Sequence, residues 1–151
     1  MTKRLEIFIP QLDFTASAFL LEEEAPETCA AILKVLPIEG RFIHSAFSGM
    51  VLEMESKDER LYTVPPENTI TQVRPRDLAL WYSYWEKPGQ IRGMGQFAEI
   101  NLVYGRNHPC TFWGPKSFNL FAIIDESSTD LIAMGKAIRG TGGKDVIIRA
   151  R

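Results

Sequence analysis

A succession of short apolar segments between Gly40 and Asp125 constrains the fold more than any other feature of this sequence. Its clearest members are RFIHSAF, GMVLEME, DLALWYSYW, QFAEINLVYG and FNLFAIID, and glycine, proline and polar residues separate them. Alternation of this kind, with many aromatic and β-branched residues, is typical of β-strands. RLEIFI, TASAFLLE and KDVIIRA extend the pattern to both ends, and KDERLYT and ENTITQV are weaker candidates. The sequence therefore predicts a mainly β protein.

Two segments interrupt the strands and predict helices. In APETCAAILKVLP, Pro26 suits a first helical position and Pro37 ends the helix. STDLIAMGKAIR begins with capping residues and precedes Gly140, which predicts a helix over Thr129–Arg139. Their expected buried faces are Ile32, Leu33 and Leu36 in the first helix, and Leu131, Met134 and Ile138 in the second. Many strands with two short helices indicate one domain, 1–151, folded as a β-barrel or closed sandwich.

Composition limits the classes of partner. The chain has 151 residues and a net charge of -2, which gives no electrostatic reason to expect nucleic acid or a membrane surface. No apolar run approaches a membrane span, and the N-terminus lacks the apolar segment of a secretory signal. Cys29 and Cys110 are isolated, so reduced thiols and a cytoplasmic location are expected. The two histidines, His44 and His108, lack metal-ligand spacing, so we expect neither metal nor cofactor.

The order strand, strand, helix, several strands, helix, strand resembles that of the cyclophilins. Cyclophilins form an eight-stranded closed barrel with a helix against each end. APETCAAILKVLP looks like the first cyclophilin helix, and RFIHSAFSGMVLEM is similar to the strand pair that follows it. The closer resemblance is to a bacterial family of small cyclophilin-like proteins of unknown function. HSAFSG, DLALWY, Tyr104-Gly105 and NLFAII carry that resemblance, in this order over most of the chain.

The sequence departs from the cyclophilins where their catalysis depends on it. Prolyl isomerisation in that family uses an arginine directly after the strand histidine, and here Ser45 follows His44. Arg41 lies three residues before the histidine and has the same strand parity as Ser45. Shared parity alone does not make Arg41 a replacement for the missing catalytic arginine. The QGG and tryptophan elements of the proline-binding groove are also not visible. We therefore expect negligible prolyl isomerase activity.

His44 is the leading candidate for chemistry. An imidazole can act as acid, base, donor or ligand near neutral pH, and Ser45, Ser48 and Gly49 give it polar surroundings. The alternative is a histidine bonded to backbone at a barrel end. Ser48 is a candidate ligand-binding residue, although a bulge residue that satisfies local backbone is the favoured interpretation. We predict that His44 faces the same concave surface as at least one of Tyr82, Tyr84, Tyr104, Arg106 or Asn119.

The remaining candidates are aromatic or can bind oxygen atoms. Parity places Trp81 and Trp85 on one face of their strand and Tyr82 and Tyr84 on the other, so one set fills the core. The other set lines a pocket or contacts a partner. Tyr104 and Arg106 are further candidate ligand-binding residues. The Arg106 guanidinium would hold a carboxylate or imide oxygen, unless it is a solvated surface group. Asn119 offers an amide to a lactam or peptide-like ligand.

The resemblance implies a small-molecule function. Cyclophilin-like domains occur in bacterial enzymes that open or process cyclic amides and ureido compounds, so the expected ligand is a compact heterocycle or amide, with or without a carboxylate. His44 would be the general acid or base and Arg106 the anion-binding group of a hydrolase-type or isomerase-type enzyme. A noncatalytic binding or assembly module is the alternative. In that case exposed aromatic residues would contact a partner or a second copy of the chain.

Overall fold

A computed structural model describes residues 2–85, 95–111, 114–127 and 130–151. Eleven strands lie within these ranges: β1 Arg4–Ile9, β2 Phe14–Leu20, β3 Ile38–His44, β4 Gly49–Ser56, β5 Thr69–Ile70, β6 Asp77–Tyr82, β7 Ala98–Asn107, β8 Cys110–Thr111, β9 Gly114–Pro115, β10 Phe118–Ile124 and β11 Lys144–Ala150. The helices are α1 Pro26–Val35 and α2 Leu131–Thr141, with 3-10 turns at Pro10–Leu12 and Glu59–Leu61.

The main sheet closes on itself. Its order is β2-β1-β11-β3-β4-β7-β6-β10, and β2 also pairs with β10, which completes a ring of eight strands. The pairings in this ring are antiparallel, while β5 adds to β10 outside it and β8 pairs with β9. The predicted closed, mainly antiparallel barrel with two helices is confirmed.

Strand alternation divides the apolar residues of the barrel into two clusters. The larger cluster fills the interior and includes Leu52, Leu102 and Tyr104. The smaller cluster lies on the outer side of β4, β7, β6 and β10, where Val51, Ala79 and Val103 alternate with the interior residues. The remaining members of the outer cluster are Val73, Trp81, Phe97 and Phe118.

Both helices differ from prediction in detail. In α1 the buried residues are Thr28, Cys29, Ile32 and Val35, so the expected burial of Ile32 is confirmed. Leu33 and Leu36 are only half-buried, because Leu36 already has extended backbone and Leu33 lies at the margin of the buried stripe. In α2 the expected burial of Leu131, Met134 and Ile138 is confirmed.

Helix α2 begins with Asp130, whose carboxylate accepts from the backbone N–H groups of Ile132 and Ala133. The predicted first residue, Thr129, lies outside the described residues. The helix continues through Gly140 and ends at Gly142, where φ is 94°. Gly142 therefore supplies the terminating backbone conformation that we had expected of Gly140.

Of the two weak strand predictions, one fails and the other is confirmed only over two residues. KDERLYT contains a 3-10 turn at Glu59–Leu61, because the Asp58 carboxylate accepts from the backbone N–H of Arg60 and caps it. In ENTITQV only Thr69–Ile70 pairs, beside β10. Pro65 and Pro66, which directly precede this segment, cannot donate to a ladder.

Cys29 is a buried free thiol, and burial raises its pKa to about 11. The side chain of Cys110 lies outside the described residues. Among the helices within those residues, none has the length and apolar character that crossing a bilayer requires.

Candidate functional site

The first polar site lies at one end of the barrel, where β3 ends at His44. Nε2 of His44 lies 2.7 Å from the Tyr104 hydroxyl, and Nδ1 lies 2.9 Å from the backbone oxygen of Ser45. A carbonyl oxygen only accepts, so in the neutral ring Nδ1 donates to Ser45 and Nε2 accepts from Tyr104. The structure thus places His44 beside one of the five predicted neighbours. We call His44 and Tyr104 the mouth pair.

Helix α2 closes the barrel over the mouth pair. Tyr104 is buried, and a Cβ on Gly135 of α2 would overlap its ring. Burial raises the pKa of the Tyr104 hydroxyl, and the nearby charge of Arg139 acts in the opposite direction. The hydroxyl therefore stays protonated at neutral pH and donates to His44.

A recess of about 200 Å³ opens beside His44 and is lined by Ser45, Ala46, Gly49, Met50 and Arg139. Gly49 has a φ of 83°, and a Cβ there would lie 2.8 Å from the backbone oxygen of Arg106. The register of β4 against β7 shifts between Gly49 and Val51, directly after the position where Ser48 had been interpreted as a bulge residue. Ser48 is buried, and its backbone oxygen accepts from the N–H of His108 at 2.8 Å.

The second polar site lies on the outer side of the same sheet. Glu53 of β4 is paired with Asn101 of β7, and Glu99 of β7 is paired with Trp81 of β6. These residues share the outward parity of the smaller apolar cluster. Lys116, which follows the β8–β9 hairpin, also contacts this surface. We call Glu53, Trp81, Glu99, Asn101 and Lys116 the outer-face cluster.

An ion pair joins Lys116 to Glu99 in the outer-face cluster, and both residues are buried. The Lys116 ammonium also lies 4.4 Å from the centroid of the Trp81 ring and 5.4 Å from that of Phe118. The π faces therefore attract a charge that has been removed from water. An arrangement of this kind holds Lys116 in place, because either partner left alone would be a costly buried charge.

Glu53 is the half-buried member of the outer-face cluster. Burial raises the pKa of its carboxyl, and the negative charge of Glu99 raises it further. The charge of Lys116 and a hydrogen bond with the Ser45 side chain oppose these effects. The net direction is upward, so the Glu53 carboxyl keeps its proton to a higher pH than an exposed glutamate does.

Two buried polar atoms of the outer-face cluster have no hydrogen-bond partner within the described ranges. They are Nε1 of Trp81, in a residue 4% exposed, and Oδ1 of Asn101, in a residue 0% exposed. The Asn101 amide nitrogen donates to the backbone oxygen of Glu99 at 3.3 Å, so only its acceptor lacks a partner. Each such atom costs about 1–3 kcal/mol when nothing satisfies it.

The aromatic residues predicted in and after β6 lie in different surroundings. Trp81 belongs to the outer-face cluster, whereas the ring of Tyr82 stacks on Tyr62 with centroids 5.0 Å apart. Tyr84 follows the end of the strand and lies 5.8 Å from Tyr82, so the parity expected over the whole segment does not hold. Tyr82 pairs with Ala98, at the opposite end of β7 from the mouth pair. These tyrosines therefore do not border the recess beside His44.

Arg106 and Asn119 take different positions from those we expected. Arg106 is exposed, and Arg139 is the arginine that lines the recess. Asn119 is 0% exposed and makes three hydrogen bonds inside the protein. Its Nδ2 donates to the Thr28 hydroxyl and the Pro65 backbone oxygen, and its Oδ1 accepts from the N–H of Glu67. The amide of Asn119 thus fastens α1 and the 65–67 segment to β10.

Sequence reasoning missed Glu53, Glu99, Asn101, Lys116 and Arg139. A signal for three of them is present in VLEME and FAEINLV, where a polar residue occupies every second position between apolar ones. That alternation indicates one polar face on each of two strands. It does not reveal that the two faces adjoin, because this depends on the pairing of β4 with β7.

The profile of one family, described as "Protein of unknown function (DUF3830)", matches residues 7–149. The chain belongs to the DUF3830 family. The expected membership of a family of unknown function is therefore confirmed, while its cyclophilin-like character and bacterial source stay predictions. No curated protein matches the chain.

Two solved structures share the fold. One is the structure of McbB in complex with tryptophan, with a TM-score of 0.71 and 21% identity over 96% of this chain and 44% of that one. The other is the solution structure of the hypothetical protein AF2241 from Archaeoglobus fulgidus, with a TM-score of 0.62, 22% identity and coverage of 98% and 94%. The chain thus spans 44% of the length of McbB. At these identities the likeness shows the fold alone.

Proposed function

We propose that this protein binds a compact amide-like small molecule at the outer-face cluster. The observation that carries the proposal is the pair of buried polar atoms without a partner among the described residues, Trp81 Nε1 and Asn101 Oδ1. One is a donor and the other an acceptor. A carboxamide, lactam or ureido group offers the complementary acceptor and donor within one planar unit, so its chemistry matches both atoms.

The position of the two atoms supports a ligand that lies along the sheet. Asn101 is paired with Ala79, and Trp81 is paired with Glu99, so the two side chains lie on adjacent, outward-facing rows of β6 and β7. Trp81 adds an aromatic surface to the site. Glu53 is the more exposed neighbour of Asn101, and a ligand reaches the amide past it.

The comparisons add a modest argument. McbB was solved with tryptophan, and the fold likeness supports the view that a barrel of this kind takes a small molecule. The proposed activity is that of a hydrolase-type or isomerase-type enzyme that acts on a cyclic amide or ureido compound. A noncatalytic binding module and a prolyl isomerase are the other candidates. Ser45, in the expected position of an arginine, disfavours the isomerase.

The test uses the indole N–H signals in ¹H–¹⁵N NMR spectra, recorded while acetamide, 2-pyrrolidinone, hydantoin and nicotinamide are added in turn. We expect at least one of these probes to shift the Trp81 signal. Trp85 is the matched control, because its Nε1 already donates to the Val64 backbone oxygen at 2.9 Å. The spectrum of Trp81→Phe identifies the signal. If none of the four probes moves it, the outer-face proposal is wrong.

The mouth pair is a second candidate site, favoured by the recess beside His44. Here His44 would act as acid or base, with Arg139 in the anion-binding role that we had assigned to Arg106. His44→Ala separates the two candidates. On the outer-face proposal it leaves probe binding unchanged, whereas Asn101→Leu weakens it. The opposite pattern would place the ligand at the mouth.

A further inference from the structure

The outer-face cluster holds two carboxyl groups and one amine. Lys116 forms its ion pair with Glu99. Glu53 forms no salt bridge among the described residues, and the hydrogen-bonding group that acts on its carboxyl is the neutral Ser45 side chain. Glu53 is therefore the ionisable member of the cluster without a countercharge of its own.

Among the residues that the structure describes, the other elements around Glu53 do not supply that countercharge. The residue paired with it on β3 is Ile43, and Arg41, on the same strand, forms an ion pair with Asp145. On β4 itself Glu55 is exposed and pairs with Lys57. Ionised Glu53 would thus add a second negative charge beside Glu99, with one lysine between them.

We propose that Glu53 binds the ligand as an uncharged carboxylic acid that donates a hydrogen bond, an inference that rests on the outer-face site proposed above. With Glu53 protonated, the negative charge of Glu99 and the positive charge of Lys116 balance, and the cluster is electrically neutral. Such a site prefers a neutral ligand whose acceptor atom receives the Glu53 hydrogen bond. A carboxamide fits this requirement, while ionisation of Glu53 would remove the donor and place an acceptor there instead.

The chemistry predicts proton-linked binding. Burial and Glu99 raise the pKa of Glu53 above its ordinary value, so the donor form persists to a higher pH than in an exposed glutamate. Above the pKa of Glu53 in the free protein, affinity for a neutral amide should fall by up to about tenfold per pH unit. The folded protein also loses stability as pH rises from the ordinary pKa of a glutamate to the raised pKa of Glu53, because over this range the unfolded chain has released the proton and the folded protein still holds it.

The first arm of the experiment titrates Glu53 in the protein without ligand, by ¹³C NMR of its carboxyl carbon, assigned with Glu53→Gln. We expect a pKa above that of Glu55, the exposed neighbour on the same strand, and a decrease towards the ordinary value in Glu99→Gln. A Glu53 pKa equal to that of Glu55 would overturn the inference and leave the proposed binding site standing.

The second arm measures the affinity for nicotinamide and nicotinate, a carboxamide and a carboxylate of the same shape, between pH 5 and pH 8. We expect nicotinamide to bind more tightly than nicotinate and to weaken as pH rises. Glu53→Gln keeps a neutral donor, so it should bind nicotinamide with no pH dependence, and Glu55→Gln should behave as the wild type. A nicotinamide affinity that stays constant across this pH range, or a preference for nicotinate, overturns the inference. Failure of both compounds and of the other amide probes to bind overturns the proposed function with it.

Discussion

The mouth pair and the outer-face cluster use the same strand, β7, yet they treat their polar groups in opposite ways. At the mouth, both nitrogens of His44 have partners, and the Tyr104 hydroxyl is one of them. On the outer face, Trp81 and Asn101 each retain an atom without a partner within the described residues. A histidine attracts attention in a sequence, but the more incomplete hydrogen bonding belongs to an asparagine and a tryptophan.

Solvent access differs between the two regions as well. His44 is half-buried beside an open recess, so water can take the place of a lost partner of its ring at little cost. Asn101 is fully buried and its acceptor cannot be satisfied in this way without an enclosed water or a ligand. An unsatisfied atom is therefore the stronger indication of function where burial is deeper.

The largest expected effect is a loss of stability at the outer-face cluster, compared with an exposed ion pair on the same protein. Lys116→Met leaves Glu99 buried without its partner and should lower the free energy of unfolding by about 3–5 kcal/mol. Lys57→Met breaks an exposed pair with Glu55, so it should lower the free energy of unfolding much less, because solvent screens this pair. Urea unfolding of both variants measures the difference. Equal losses would mean that the outer-face ion pair is not buried as described.

A smaller effect is expected at the mouth. Gly135→Ala places a methyl group against the Tyr104 ring and should destabilise the protein by about 1–3 kcal/mol, although alanine favours a helix. Gly140→Ala is the matched control in the same helix, because a Cβ there meets no atom within 4 Å. It should stabilise the protein by about 0.5–1 kcal/mol. Thermal unfolding distinguishes them, and stabilisation by both would show that α2 does not press on Tyr104.

The smallest effect concerns the two described tryptophans. Trp85→Phe removes a donor that is bonded to Val64 and should cost about 0.5–1.5 kcal/mol beyond any loss of packing. Trp81→Phe removes a donor that has no partner among the described residues, so the loss of this N–H should change the free energy of unfolding little or favourably. The difference in free energy of unfolding measures this. A larger loss for Trp81→Phe would indicate a bond to a residue or water that satisfies Nε1.

The sequence predicts the barrel well because alternation is a local property. Residues such as Leu52 and Leu102 occupy interior positions for reasons visible within their own strands. The irregularity beside Gly49 was likewise predictable, since a glycine within a strand pattern favours a bulge. Leu33 shows the limit of this reasoning, because its burial depends on how far α1 rotates towards the barrel.

The candidate site was less predictable, because it depends on which strands are neighbours. Glu53 and Asn101 are 48 residues apart (101 minus 53) and meet only through the β4–β7 pairing. Asn119 illustrates the opposite error. Its amide suits a ligand in principle, but the structure uses it to bond Thr28, Pro65 and Glu67, contacts that no local pattern indicates.

Strand β7 presents Tyr104 to the barrel interior and Glu99 and Asn101 to the outside. Successive side chains of a strand point to opposite sides of the sheet. Insertion or deletion of a single residue within Ala98–Asn107 would therefore turn every later inward-facing side chain of the strand outwards, and every outward-facing one inwards. Evolution can therefore alter the chemistry of either surface by substitution, but it cannot alter the length of this strand without affecting both. Relatives that diverge in ligand preference should differ in residue type along β7 while keeping it free of gaps.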